Sequence, residues 1–597
     1  MSAGARVAAP LPTAAVAAAP SQEDIVASLP LHLRPFVQVQ DHATHYTARD
    51  HAVWRFLMTA LTRSLATTAH PVYLEGLAAT GIALDHIPSI DEMNACLARL
   101  GWRAVVVDGF IPPAIFMEFQ ALRVLVIALD MRSVEHLLYT PAPDILHESA
   151  GHAPFLVDVD YAEFLQRFGE VGMKAIANRH DHELYEAVRT LSILKEDPRS
   201  SGAAIAAAEA ALEELAARDE APSEAAMLTR LHWWTVEYGL VGDVHDYRLF
   251  GAGLLSSLGE SQSCLDDEAV PKRPLTVDAV AVPYDITRSQ PQLFVTRSCR
   301  HMSQVLEEFA ASMAFRRGGA EGLRRAREAG VVCTAEYDSG VQVSGVVDEL
   351  LCDAVGNVSY LRTRGATQLA WRGRELYGHG TQAHREGFGA PVGYLKEFSR
   401  CLSLYSVDEL RAHAIAVGEE VLLEFLSGVT VRGRLEHILR QEQRNLVLSF
   451  TDCTVTAPDG RLLSDPARGR YHMAVGARIS SVFGGVADRE RFQLYKPLPG
   501  SSAEPQPGDA RLFDAYAAID RLARAGREAC ATDVETLAAV LAAHPQEWLL
   551  RAEMLRAGAA VLPEAMLREA AAAIDAQVRD PLHRRALALV HPDRFRR

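Results

Sequence analysis

The chain has 597 residues, 49% apolar and 23% charged, with a formal net charge of −16. That length exceeds what one hydrophobic core organises, so about two to four domains of ordinary globular composition are expected. The acidic balance argues against a nucleic-acid partner, and no segment reaches the roughly 18 consecutive apolar residues of a membrane span. The eight cysteines form no C-x-x-C pair, which indicates neither a zinc ribbon nor a disulfide framework and fits a reducing cytoplasm.

In chain order, residues 1–30 are Ala/Pro-rich and read as a disordered tail, because prolines interrupt every apolar run. Residues 31–325 carry mostly helical signals, as in H-A-V-W-R-F-L-M-T-A-L (51–61), D-E-M-N-A-C-L-A-R-L (91–100) and Y-A-E-F-L-Q-R-F (161–168). The Ala/Glu-rich stretch 201–218 reads as a solvated surface helix. From 331 to 497 the texture changes to short alternating runs, such as V-C-T-A-E-Y, V-Q-V-S-G-V-V, V-S-Y-L-R-T, V-L-L-E-F-L and L-V-L-S-F. C-T-V-T-A-P-D-G-R-L ends in an Asp459-Gly460 turn. Residues 498–509 form a Pro/Gly/Ser linker, and 510–597 return to amphipathic helix, an interaction element through which a homo-oligomer could form. The expected fold class is therefore multidomain: a mainly α catalytic domain, a β-rich module of open role and a C-terminal helical segment.

The chemistry concentrates in P-D-I-L-H-E-S-A-G-H-A-P (143–154). It nearly matches the zinc-protease pattern H-E-x-x-H, whose histidines lie four apart and about 40° apart around a helix. His147 and His152 are five apart, about 140° on an ideal helix. They can share a metal only if the helix ends or deforms between them. Asp144 reads as an N-cap, Gly151 as a helix stop and Pro154 as disfavouring helix at Ala153, which places His152 at or just past a helix end.

A third ligand must come from elsewhere. Glu237, in L-H-W-W-T-V-E-Y-G-L (231–240), falls in the last turn of a helix begun by Pro222-Ser223 and ended by Gly239. Among apolar neighbours its carboxylate needs a cation. Two histidines and one carboxylate make the facial triad of non-haem Fe(II) oxygenases. Taken singly, each of the three also reads as an ordinary helix-end or surface residue. The clusters His42/His45/His51 and His180/His182 lack a comparable partner.

Y-T-P-A-P-D-I-L-H-E-S-A-G-H-A-P-F-L, followed by Y-A-E-F-L-Q-R-F-G, resembles the iron-site motif of the tetrahydrobiopterin-dependent aromatic amino acid hydroxylases. The resemblance extends through W-W-T-V-E-Y-G-L, F-G-A-G-L-L-S-S-L-G-E (250–260) and Q-D-H-A-T-H-Y-T-A-R-D-H-A-V-W-R (40–55), and covers residues 31–325. It implies that His147, His152 and Glu237 bind iron. It implies that Arg132, Tyr139 and Thr140 hold the substrate, Arg132 by a fork suited to a carboxylate. Pro143, Trp233, Tyr238 and Gly253 would line the ring pocket, and Ser256 would touch the pocket while supporting an iron-ligating histidine.

On the cofactor side, the resemblance implies that the pterin stacks on Phe116 and meets the backbone of Gly109 and Ile111. Glu148 approaches it as a carboxylate rather than an iron ligand, and His232 stands where animal members have a tyrosine near the iron. The stretch 124–129 is wholly aliphatic where animal members carry polar residues. A long bacterial phenylalanine 4-hydroxylase is the better comparison.

The implied activity is ring hydroxylation of an aromatic amino acid with Fe(II), a reduced pterin and O2, phenylalanine being preferred and tryptophan or tyrosine left open. The rivals from other classes are a zinc hydrolase using His147, Glu148 and His152, and a non-catalytic binding protein.

Overall fold

The computed structural model describes residues 20–107, 111–138, 144–196, 200–218, 220–285, 289–496, 510–525, 531–558 and 561–595. Part of the expected tail is folded. Gln22–Ser28 is a helix closed by a Ser21/Asp24 capping box, and Ile25 and Leu29, four apart, are both buried. The Ala/Pro-rich composition before it hides that spacing.

The expected helices appear as Ala48–Leu65, Ile90–Leu97 and Val159–Gly172, with Gly202–Ala216 as a helix that buries no residue. Two small sheets lie among them. Val37–Gln38, Arg103–Val107 and Val124–Ala128 form the first, and its last two strands are parallel. Parallel neighbours need a crossover, supplied by the Pro113–Ala121 helix. The runs R-A-V-V-V and V-L-V-I-A are continuous rather than alternating because both faces of these strands are covered. The second sheet runs in the order Asp246–Leu249, Leu240–Asp243, Leu293–Thr296, Lys272–Pro274.

Strands then dominate from Val332 to Gly484, in two antiparallel sheets around one shared core. Gly460 takes φ +85° in the expected turn, where Ala457 N donates to the Arg461 carbonyl at 2.8 Å. The strand Thr430–Gln441 is additional to the expected runs, and in it Val431, Gly433 and Leu435 are buried and Arg432 and Arg434 exposed. Gly433 breaks the apolar half of that alternation.

The C-terminal helices differ from the expected separate domain. Residues of Ala510–Ala525, Trp548–Ala557 and Pro581–Val590 share one apolar core with the catalytic helices. The reason lies in Ala48–Leu65, where Val53, Trp54, Phe56, Leu57 and Met58 are all buried. Residues 53–58 span more than one turn, so this middle stretch of the helix must be covered on every side. Phe56 meets Trp548 edge-to-face at 5.3 Å, and buried Arg55 pairs with Glu553 at 2.8 Å and Asp520 at 3.0 Å. No described helix is long and apolar enough to cross a membrane.

Candidate active site

The helix carrying the two histidines does not end between them; it widens. Leu146–His152 is π-helical, with hydrogen bonds reaching five residues instead of four, so residues five apart come to one face. The expected stop at Gly151 and the break at Ala153 are therefore corrected: Ala153 keeps helical dihedrals and opens a 3-10 turn, Ala153–Val157. Gly151 serves close approach instead. A Cβ there would lie 2.9 Å from the Ala252 Cβ of the Ala252–Leu255 helix. That contact brings Ser256 beneath His147.

Glu237 also sits in a π turn. Ser223 caps the Glu224–His232 helix, which continues as π-helical Trp233–Glu237, with Tyr238 N donating to the Trp233 carbonyl at 2.8 Å.

Three donor groups converge there. His147 Nε2 and His152 Nε2 are 3.2 Å apart, Glu237 Oε2 is 3.2 Å from His147 Nε2, and Glu237 Oε1 is 3.4 Å from His152 Nε2. Ligands at about 2.1 Å from one ion, about 100° apart, would be separated by about 3.2 Å, with imidazole centroids about 5 Å apart. The observed centroid distance is 4.9 Å. His379 and His384 in the β-rich module provide a contrast. Their nitrogens are 3.1 Å apart, but the centroids lie 5.3 Å apart with planes 13° apart. Those rings are nearly in line, as in an N–H···N hydrogen bond. The donor set of the first site fits a metal, and that of the second does not.

Glu148 is the competing carboxylate, since its oxygen also lies near both histidines. It is the weaker fit, 3.9 Å from His152 Nε2. Electrostatics separate the two acids. Burial works to raise the Glu237 carboxyl, but His152 and His147 outweigh it and hold it well below the usual carboxylate range. Burial pushes Glu148 up to about 8, against the pull of His152 and with help from Glu237 and Asp144.

Ser256 hydroxyl lies 3.0 Å from His147 Nδ1 and donates to the Ala252 carbonyl at 2.8 Å. With the Ser256 proton so used, Nδ1–H must donate to the hydroxyl. This leaves the Nε2 lone pair facing the site. Ser256→Ala is expected to weaken metal affinity about 10–100-fold, measured by chelator competition. Unchanged affinity would mean that the hydroxyl does not orient the ring.

Arg132 is fully committed on one side. Its Nε and Nη2 fork the Asp144 carboxylate at 2.7 and 2.8 Å, and Nη1 donates to the Ser256 carbonyl at 2.9 Å. Asp144 Oδ1 also accepts His147 N at 3.0 Å, so it caps the histidine segment as expected and joins it to Arg132. A structural salt bridge is the plain reading of Arg132 that its sequence also allows, and only its partner, Asp144, was not legible there. His232 lies between the two halves of the cleft, its ring 6.0 Å from Phe116 and its Nδ1 3.8 Å from Glu237 Oε1. Burial lowers it to about 4, so it is a neutral imidazole. Trp233 stacks on Tyr238 and on Tyr284, at 4.7 and 4.3 Å, and its Nε1 donates to Gln290 at 3.2 Å. Sequence reasoning missed Tyr284 and Gln290, which lie fifty residues beyond the motif. Ile111 and every other expected site residue that is described line one cleft of ≈2400 Å³. Gly109, Tyr139, Thr140 and Pro143 lie outside the described residues.

The sequence model of the biopterin-dependent aromatic amino acid hydroxylases matches residues 37–188 and 202–317. Phenylalanine-4-hydroxylase of Pseudomonas aeruginosa is 30% identical over 265 residues, taking in 44% of this chain and 84% of that enzyme. The chain belongs to this family. The hydroxylase of Chromobacterium violaceum is 31% identical over 229 residues, 38% of this chain and 62% of that one, so the match spans just under two thirds of its length. A crystal structure of that phenylalanine hydroxylase, holding iron(III) and 7,8-dihydrobiopterin, aligns at 26% identity and TM-score 0.37 over 48% of this chain and 87% of the other. The family match stops at 317, so the whole β-rich module and the C-terminal helices lie beyond it.

Proposed function

We propose that this chain is a cytoplasmic, pterin-dependent non-haem iron monooxygenase that hydroxylates the ring of phenylalanine to give tyrosine. The carrying observation is the triangle of two imidazole nitrogens and one carboxylate, with edges of 3.2 to 3.4 Å. His147, His152 and Glu237 would hold Fe(II) on one face and leave its other side to the cleft. The family match over residues 37–188 and 202–317 disfavours the zinc-hydrolase rival, in which Glu148 would act as general base.

When bound, the ferrous ion and the reduced pterin supply the electrons that cleave O2 and place one oxygen atom on the ring. The protein positions the parts and excludes water. Among the described residues, Asp144 and Ser256 take three of the five N–H groups of Arg132, and the other two are enough to take the carboxylate of an amino acid. The Trp233–Tyr238–Tyr284 stack makes a rigid aromatic wall. Phe116 would carry the pterin, with neutral His232 between it and the metal ligands.

The decisive experiment supplies the purified full-length chain with Fe(II), tetrahydropterin and O2, and offers phenylalanine, tyrosine and tryptophan separately. Pterin-dependent formation of tyrosine is expected. Failure to hydroxylate any of them would end the proposal. Gly253→Ala tests the wall: its Cβ would sit 2.7 Å from the Tyr238 ring and loosen the Tyr238–Glu260 hydrogen bond, 2.8 Å in the native chain. Overpacking of this kind costs about 1–3 kcal/mol. It is expected to raise the amino acid KM while iron content stays unchanged.

A further inference from the structure

The polypeptide leaving the β-rich module returns to the catalytic core. After the strand Ile479–Gly484, residues 485–496 form a strap along the cleft, where Arg489 and Phe492 face the same space as Ile111 and Phe116. The strap is anchored to the module by Asp488. Its N–H donates to the buried Gln368 side chain at 3.1 Å, and its carboxylate accepts Glu375 N at 2.8 Å.

Arg489 then crosses to the catalytic side. Its Nη1 donates to Glu118 Oε2 at 2.6 Å and its Nη2 to the Met173 carbonyl at 2.7 Å. Glu118 is 7% exposed and lies on Pro113–Ala121, two residues beyond Phe116 and so on roughly the opposite side of that helix. Its other oxygen takes His32 Nε2 at 3.0 Å, and Glu490 accepts Leu31 N at 3.1 Å. The crossover helix is thus gripped from behind by the N-terminal segment and by the strap. Burial alone would raise the Glu118 carboxyl, but the His32 hydrogen bond and Arg489 hold it below the usual range.

A buried ion pair seldom stabilises a fold more than apolar packing would, and its best-attested use is to specify one arrangement. We propose that Arg489 is a positioning residue for the pterin: through Glu118 it holds the crossover helix, and with it Phe116 and Ile111, at the wall on which the cofactor stacks. The β-rich module is then part of the catalytic unit. This inference rests on the pterin-dependent reading given above.

The test titrates reduced tetrahydropterin calorimetrically into anaerobic, iron-loaded full-length protein, alongside steady-state kinetics. Wild type is expected to bind. Arg489→Met should weaken binding and raise the pterin KM by about tenfold, the scale of a modest misplacement. The amino acid KM and the iron content should change less than about twofold. Glu118→Gln, nearly isosteric, should do the same, and the double variant should be no weaker than either single one, because the two groups act as a unit. Arg489→Lys should rescue only part, since an ammonium lacks the fork for Glu118 and Met173 together. Exposed Arg491 gives the control, Arg491→Ala, with unchanged binding.

A fall in Tm with an unaltered pterin Kd, or equal rises in both KM values, would overturn the positioning role. Absence of pterin binding by wild type would instead overturn the reading beneath it.

Discussion

Glu237→Ala is expected to abolish retained iron and pterin-dependent hydroxylation together, whereas Glu148→Gln keeps its iron. Removing a hydrogen-bond partner of a metal ligand costs about 10–100-fold in affinity, and removing a direct donor must cost more. Glu237 is the only described carboxylate within 3.5 Å of both His147 and His152 nitrogens, and without it two neutral imidazoles face a divalent ion alone. Glu148 stands 3.9 Å from His152 Nε2, farther out than Glu237 at 3.4 Å, so an amide of the same shape replaces it without removing a ligand. Metal analysis after anaerobic loading and desalting, with tyrosine formation measured on the same samples, reads both variants. Equal iron in Glu237→Ala and wild type would remove the triad, and loss of iron from Glu148→Gln would move the ligand role to that residue.

The second large effect is expected at Asp144. It is 2% exposed, and its carboxylate serves Arg132 Nε, Nη2 and N as well as His147 N. Asp144→Ala leaves a buried guanidinium unpaired, which typically costs about 3–5 kcal/mol. It also uncaps the histidine segment, worth about 1 kcal/mol. Against a total stability of about 5–15 kcal/mol this is severe, and a fall in Tm of at least about 3 °C is expected by thermal scanning, with activity lost. Arg132→Met/Asp144→Leu separates structure from function. Removing both charges should recover most of the Tm, because no charge is left stranded, but not the hydroxylation. An active double variant would show that Arg132 does not hold the substrate. A single variant as stable as wild type would contradict the buried pair.

Some elements were legible because their signal is local. The strands of the β-rich module alternate in and out with a period of two, and the Asp459-Gly460 turn needs the positive φ that glycine supplies. His147, His152 and Glu237 stand out because each lies in a short capped segment whose chemistry is conspicuous in its surroundings. Local signals also misled. Gly151 read as a helix stop, when its missing Cβ serves contact with Ala252. The five-residue histidine spacing asked for an end or a deformation of the helix; Gly151 and Pro154 pointed to the end, and the chain takes the deformation, a wider helix.

What the sequence by itself determined is the set of donors, the helical and strand texture, and the resemblance that located the cleft. Only the tertiary structure decided how distant charges pair. Asp144 joins Arg132, Glu118 joins Arg489 across 371 residues, and Arg55 joins Glu553 across 498. The sequence writes none of these pairings, and there Asp144 reads as a helix cap and Arg132 as a holder of the substrate, because hydropathy periodicity reports which way a side chain faces along its own element and carries nothing about what a remote element brings to meet it. The same reason hid the C-terminal helices' place in the catalytic core, since an amphipathic stripe states that it must be covered and not by what.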